Sequence, residues 1–234
     1  MSSSGQQRVA IVTGAGSGFG AGIAKRFQKD DVAVIVADIL TAGDVTKRGD
    51  WENVVKVAQE TYGGLNYVIN NAGATYKSKP VLTTTEADFD LCIDVNLKSI
   101  FHSVHVAVPV LQKTTAAGQP AAVINIASTA GIMGRPGLTW YCGSKAAVIS
   151  CTKNLSIEFG KQQIRFNAIC PVFGNTGLKS AFLGETTEDQ MLASIPLGRI
   201  SQPSDIANAT VFLCSDEASF LTGVALPVDG GRLA

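Results

Sequence analysis

Short stretches in which nearly every residue is apolar alternate along the chain with longer stretches in which apolar residues recur at helical spacing. The apolar runs fall at residues 9–13, 32–37, 67–70, 121–127, 165–170 and 224–228. They are brief, rich in Val and Ile, and lack the apolar–polar alternation of a strand with one face in water. Each therefore predicts a strand covered on both sides. The amphipathic stretches at 19–29, 51–62, 89–112, 139–159 and 204–215 predict helices, the last entered through Pro203-Ser204. Strand–helix alternation of this kind builds right-handed βαβ units. The expected architecture is α/β, a single-domain doubly wound Rossmann fold over residues 1–234. Its parallel sheet should have six to seven strands with helices on both faces, and a ligand should sit at the carboxyl ends of the strands.

Composition narrows the partners. A chain of 234 residues suits one domain. Nineteen basic residues balance nineteen acidic ones, so there is no electrostatic case for nucleic acid or an acidic membrane surface. No apolar run reaches the ~18 residues of a membrane span, and residues 1–8 lack the apolar core of a secretion signal. The five cysteines, Cys92, Cys142, Cys151, Cys170 and Cys214, form no C-x-x-C pair and are odd in number. Reduced thiols in a cytoplasmic protein are the expectation. His102 and His105 lie one helical turn apart but have no Cys or carboxylate spaced to complete a metal site. No metal is expected, and the two are read as surface or subunit-interface residues.

The first predicted strand runs directly into Thr13-Gly14-Ala15-Gly16-Ser17-Gly18-Phe19-Gly20. Glycines after a strand let the backbone turn tightly and approach a pyrophosphate, which rests on the N-terminus of the next helix. The second strand ends at Asp38, 18 residues beyond Gly20. A carboxylate there can accept hydrogen bonds from the adenosine ribose hydroxyls and would repel a 2′-phosphate. No Arg stands in the turn or directly after Asp38 to hold such a phosphate. NAD is expected in preference to NADP.

Further motifs follow in order: Asp44-Val45, Asn70-Asn71-Ala72-Gly73, Asn96, Ser128, Tyr141 with Lys145, and Pro171 with Thr176. Together with the glycine turn they resemble the short-chain dehydrogenase/reductase (SDR) family over nearly the whole chain. The resemblance implies a nicotinamide-dependent oxidoreductase that moves a hydride between the cofactor and a small-molecule secondary alcohol or ketone. It implies a cofactor cleft made by Gly14, Ser17, Gly18, Phe19, Gly20, Asp38, Asp44, Val45, Asn71, Ala72, Gly73, Pro171, Val172 and Thr176, with Tyr141 and Lys145 at its nicotinamide end. Asn96, Ser128, Tyr141 and Lys145 match the family's catalytic tetrad. It also implies a homotetramer, with the helices around 89–112 and 139–159 as dimerisation elements and Val228-Asp229-Gly230-Gly231 near a second interface.

The residue types suit the chemistry. Tyr141 and Lys145 are four apart and share a helix face. A free tyrosine, with a pKa of ~10, is too weakly acidic to serve as a base near neutrality. A nearby ammonium favours the phenolate, and the positive charge of nicotinamide should act in the same direction. Tyr141 is the expected acid/base. Ser128 should hydrogen-bond the substrate oxygen, Lys145 should bind the nicotinamide ribose, and Asn96 should anchor a water near Lys145.

A mainly apolar substrate pocket is expected from Ala130, Ile132, Met133, Leu138, Trp140, Val172 and Phe173. A lid over about 177–195 should add Leu178, Phe182, Leu183 and Met191. Such a pocket serves many substrates. Alternatives within the family are a 3-oxoacyl thioester reductase and a sugar dehydrogenase; outside catalysis, the alternative is an NAD-binding regulatory module. The chain departs from the family in two places. Pro171-Val172 stands where the family most often has Pro-Gly. Only residues 39–43 separate Asp38 from Asp44, where the family places a helix and most of strand three. Residues 41–46 then read as the end of that strand and its exit. The second strand would become a poorly protected edge. A segment missing near residues 40/41 is the expectation, and a Cα–Cα separation of ~3.8 Å there would defeat it.

Overall fold

The computed structural model describes residues 7–39, 43–183 and 187–234. One parallel sheet of six strands lies at its centre, in the order β2-β1-β3-β4-β5-β6. The strands are β1 (Val9–Thr13), β2 (Ala33–Ala37), β3 (Tyr67–Asn70), β4 (Ala121–Ile126), β5 (Ile164–Pro171) and β6 (Ala225–Val228). Every residue of β1, β3 and β4 is buried. That is why these runs carry no alternation of apolar and polar residues.

Successive side chains of each strand feed opposite faces. Val12, Ile69 and Ile124 pack with Ile23 and Phe27 of α1 (Gly18–Lys29) and with Ile206 and Leu213 of α8 (Pro203–Cys214). Ile11, Val68 and Val123 pack on the other face with Trp51 and Val55 of α2 (Arg48–Tyr62) and with Val108 and Leu111 of α4 (Ser99–Ala116). The chain passes from β1 to β2 on one side, then crosses to β3 on the other side of β1. This reversal opens a crevice at the carboxyl ends of β1 and β3.

The helix predicted over 89–112 starts earlier and is built from three parts. Thr85 and Asp88 form a reciprocal capping box that opens α3 (Glu86–Ile93). A π turn over Asp94–Lys98 follows, and α4 continues to Ala116. By length and mean hydropathy alone this continuous helix could cross a membrane. Its Ile100, Ala107, Val108 and Leu111 are instead buried in the core. The long α5 (Thr139–Phe159) lies beside β5 and packs Val148 against Ala127 and Ala168. Two short helices, α6 (Lys179–Leu183) and α7 (Glu188–Ala193), were not predicted, because five or six residues carry too little periodicity to read. An ion pair between Lys179 and Glu188, at 2.7 Å, joins them.

The edge at β2 is poorly covered, and Val36 is 44% exposed. Gly43 to Thr46 do not form a strand exit. The Asp44 carboxylate accepts from Thr46 N at 3.0 Å and from Thr46 Oγ1 at 2.7 Å. This side-chain turn competes with extended backbone and leads into α2. Gly43 N donates to Asp38 O at 3.1 Å, so the flanks of the short connection are close. The expected missing segment at 40/41 falls outside the described residues, as do residues 184–186 and the side chain of Leu183 in the lid.

A buried polar chain ties the sheet to α5. Asn70 Nδ2 donates to Asn125 Oδ1 at 2.8 Å, and Asn125 Nδ2 donates to Thr152 Oγ1 at 2.9 Å. Asn125 and Thr152 have no solvent exposure. Thr152→Val removes the acceptor but keeps the volume. The expected cost is about 1–3 kcal/mol, seen as a lower urea midpoint at unchanged m value.

Candidate active site

The glycine turn is held from below and from one side. Gly14 adopts a φ of +61°, and its N–H donates to Ala37 O at 2.7 Å. Gly20 begins the first turns of α1 beneath it, so closely that a Cβ there would lie 2.3 Å from Gly14 O. Asn71 Nδ2 donates to Thr13 O at 2.8 Å, while Thr13 Oγ1 accepts from the N–H groups of Asn71 and Ala72, each at 3.0 Å. The exit of β3 is thereby stitched to the turn. Ser17, the N-cap of α1, makes no side-chain capping bond, and no acidic residue stands in the first turn. The N-terminus of α1 is thus an uncompensated anion site on the cavity wall. Beyond it, Asp38 Oδ2 accepts from Gly16 N at 2.8 Å.

The chemical end is assembled from four elements. Ser128 follows β4 in extended conformation, and its Oγ accepts from Ala130 N at 3.1 Å. Tyr141 and Lys145 lie on α5 and are 4% exposed each. Burial pushes the Tyr141 phenol above its ordinary value, while a hydrogen bond with the Ser128 side chain works in the opposite direction. The lowering expected from Lys145 is not what this cleft shows. The Lys145 ammonium donates to Ile126 O at 2.8 Å and stands 5.9 Å from the centre of the Tyr141 ring. Desolvation of the phenolate outweighs an ammonium at that separation.

Asn96 sits in the π turn, the kind of irregularity that often marks functional sites. Its side chain exchanges two hydrogen bonds of 2.9 Å with the backbone of Ala74 and donates to Ser144 Oγ at 3.0 Å. Ser144 Oγ in turn donates to Tyr141 O at 2.8 Å. The Asn96 side chain therefore positions the segment after Gly73 and the turn of α5 that carries Tyr141 and Lys145.

Burial also lowers Lys145 to about 8. Between that value and the ~10.4 of a free lysine, the unfolded chain binds a proton that the folded chain has released. Stability attributable to Lys145 therefore rises with pH across this window. The thermal stability advantage of Lys145→Met over the wild type should shrink from pH 8 to pH 10, by up to about 1.4 kcal/mol per pH unit. A gap that stays constant with pH would show that the ammonium is not desolvated.

One cavity of about 590 Å³ joins the two ends. Its lining includes Gly14, Ser17, Gly18, Phe19, Asp38, Asp44, Val45, Asn71, Ala72 and Gly73 at and around the glycine turn, and Ser128, Tyr141, Lys145, Pro171, Val172 and Thr176. Ala130, Met133, Phe173, Leu178 and Phe182 extend the reacting end. Gly20 is not on the wall; it packs beneath the turn. Three predicted pocket residues are also displaced. Ile132 is 49% exposed outside the cavity. Leu138 is fully buried with Tyr76, Cys92 and Tyr141. Trp140 turns away to donate from Nε1 to Thr84 Oγ1 at 2.9 Å. Met191 lies behind the wall, packed on Val172 and Phe173. Among the wall residues that the sequence reading missed are Leu91, Val95 and two cations, Arg135 and Arg232. Each of the two cations is a lone Arg in an otherwise apolar or glycine-rich segment, and that was the available signal.

A family profile described as Enoyl-(Acyl carrier protein) reductase matches residues 37–232. The chain belongs to the short-chain dehydrogenase/reductase family. It is an NAD(P)-dependent oxidoreductase acting between a CH–OH group and a carbonyl. It is 44% identical to a 4-formylbenzenesulfonate dehydrogenase of Comamonas testosteroni, over 97% of this chain and 98% of the relative. It is 35% identical to a 2,5-dichloro-2,5-cyclohexadiene-1,4-diol dehydrogenase of Sphingobium indicum, over 96% of this chain and 95% of the relative. A Brucella melitensis 3-ketoacyl-(acyl-carrier-protein) reductase, solved with NADH, superposes with a TM-score of 0.93 at 37% identity, covering 99% of this chain and all of that one.

Proposed function

We propose that this SDR is an NAD-preferring dehydrogenase for a small secondary alcohol or ketone, with Tyr141 as acid/base. The observation that carries the reading is the placement of Asp38, the uncapped start of α1 and the Ser128–Tyr141–Lys145 group on one cavity wall. The glycine turn, Asp38, Asp44 and Asn71–Gly73 would hold the dinucleotide, and Lys145 its nicotinamide ribose. When bound, the reduced nicotinamide would supply the hydride to a carbonyl, and the oxidised, positively charged form would accept it from an alcohol. Ser128 Oγ orients the substrate oxygen, and Tyr141 Oη passes it a proton in reduction or takes one in oxidation. A phenol held above its ordinary value is protonated at neutral pH, which suits the acid role directly.

The test is an NAD and NADP turnover screen over secondary alcohols, polyols, sugars, aryl aldehydes and hydroxyacyl thioesters. Faster turnover with NAD is expected, and Asp38→Ala should reduce the NAD-over-NADP preference at least tenfold, since it removes the repulsion of a 2′-phosphate. Equal use of NADP by the wild type would overturn the assignment. The acyl thioester arm covers the second reading, which the names of the Brucella structure and of a 33% identical Thermotoga maritima relative favour. The aryl aldehyde arm follows the name of the Comamonas relative. We further propose a cytoplasmic homotetramer. Five free cysteines and the exposed Phe101 and Ile157 on α4 and α5 support it, and light scattering tests the assembly.

A further inference from the structure

Arg135 and Arg232 both line the reacting end of the cavity. Neither forms an ion pair with a carboxylate among the described residues. Arg135 spends one nitrogen on Phe182 O, at 2.6 Å, and lies over the Phe182 ring at 5.4 Å. The same ring meets Tyr141 edge-on at 5.2 Å. The Arg135 guanidinium carbon and the Tyr141 ring centre therefore lie no farther apart than the sum of those distances, about 10.6 Å. Arg232 carries a buried Nη1 without any hydrogen-bond partner. The two cations feel each other: burial first, and then the positive charge of Arg232, lower the pKa of Arg135.

Two guanidinium groups on the wall of one mainly apolar cleft, near enough to act on each other and without an ion-pair partner among the described residues, are unfavourable. Like charges repel, and a buried unpaired charge is costly. An oxyanion would reverse both terms, because a guanidinium presents a planar fork of donors matched to carboxylate and sulfonate oxygens. Phe182 lies between Arg135 and Tyr141, and Met133, Phe173 and Leu178 line the same cavity.

We propose that Arg135 and Arg232 form an oxyanion subsite, so that the alcohol or carbonyl compound turned over here carries a carboxylate or sulfonate on a compact apolar or aromatic body. The proposal rests on the oxidoreductase reading of the same cleft and adds the charge of its substrate. The reacting oxygen sits at Tyr141 and Ser128, and the anionic end points towards the start of the lid.

Binding is measured by calorimetry on the full chain with benzenesulfonate, benzoate and the neutral benzenesulfonamide, none of which can be turned over. Benzenesulfonate or benzoate should bind at least tenfold more tightly than the sulfonamide, a preference that weakens as salt rises. Arg232→Met and Arg135→Met should each bring the preference close to one, and Arg135→Lys should retain part of it. Thermal melts and NADH binding check that each variant is folded, and the Arg232 variant carries the test if Arg135→Met does not fold. The tighter of the two anions identifies the oxyanion. Equal affinity for charged and neutral probes in the wild type, or a preference unchanged in Arg232→Met, overturns the proposal. Turnover of a neutral secondary alcohol with NAD is scored separately. Turnover without anion preference removes only the subsite, whereas anion preference without turnover of any alcohol supports the subsite and removes the dehydrogenase reading.

Discussion

Tyr141→Phe should lower kcat by about 10²–10⁴, the usual contribution of a positioned general acid/base, and leave NADH binding in place. The substitution deletes one oxygen from a ring that is 4% exposed and wedged among Tyr76, Ala130 and Leu138. Volume and packing are conserved, so melting temperature should change little. What disappears is the proton carrier and the hydrogen-bond partner of Ser128. The decisive comparison is single-turnover hydride transfer against NADH affinity measured by fluorescence. Undiminished turnover in the variant would place the acid/base elsewhere. Ser128→Ala is the companion experiment, because it removes the substrate-orienting hydroxyl and leaves the phenol.

The second large effect is expected at Gly20. A Cβ there would lie 2.3 Å from Gly14 O, 2.5 Å from Asn71 Nδ2 and 2.9 Å from Ala15 Cα. Two of these neighbours are backbone, and the third is the side chain that pins the turn, so none can swing aside. Gly20→Ala must therefore lift the glycine turn off the start of α1. Overpacking of this kind costs about 1–3 kcal/mol, or several degrees in melting temperature for a domain of this size. NADH affinity should fall at least tenfold, since the displaced turn is the proposed dinucleotide cradle. Gly49→Ala is the control. Gly49 lies in the first turn of α2, and a methyl group added there would meet nothing within 4 Å. Removing its backbone freedom should leave stability unchanged or slightly raised. If both variants melt like the wild type and bind NADH normally, the turn is not rigidly held.

Much of the site was readable in advance because it is written in local chemistry. Strand edges lie within two residues of expectation at all six strands. An uninterrupted Val-, Ile- and Ala-rich run reports burial on both faces without help from distant residues. The glycine turn is likewise a property of consecutive residues. Tyr141 and Lys145 needed only the helical repeat to share a face. Asp38 needed only to end its strand.

Contacts between distant segments had to be folded to be seen. Ile132, Leu138 and Trp140 are apolar and close in sequence to Ser128 or Tyr141, yet none reaches the cavity. Hydrophobicity says that a side chain seeks cover but not which cover. For Trp140 a partner 56 residues away, Thr84, made that choice. Arg135 and Arg232 lie 97 positions apart, and only the fold places both on one wall. The direction of the Tyr141 shift was also a tertiary outcome. Sequence spacing identified Lys145 as a neighbour, but the depth of burial decided the direction. Local patterning thus determined the strands, the turn and the shared helix face of Tyr141 and Lys145, because periodicity and turn geometry are short-range. The tertiary structure decided the pocket wall and its electrostatics, because desolvation and charge act through space between segments that the chain keeps far apart.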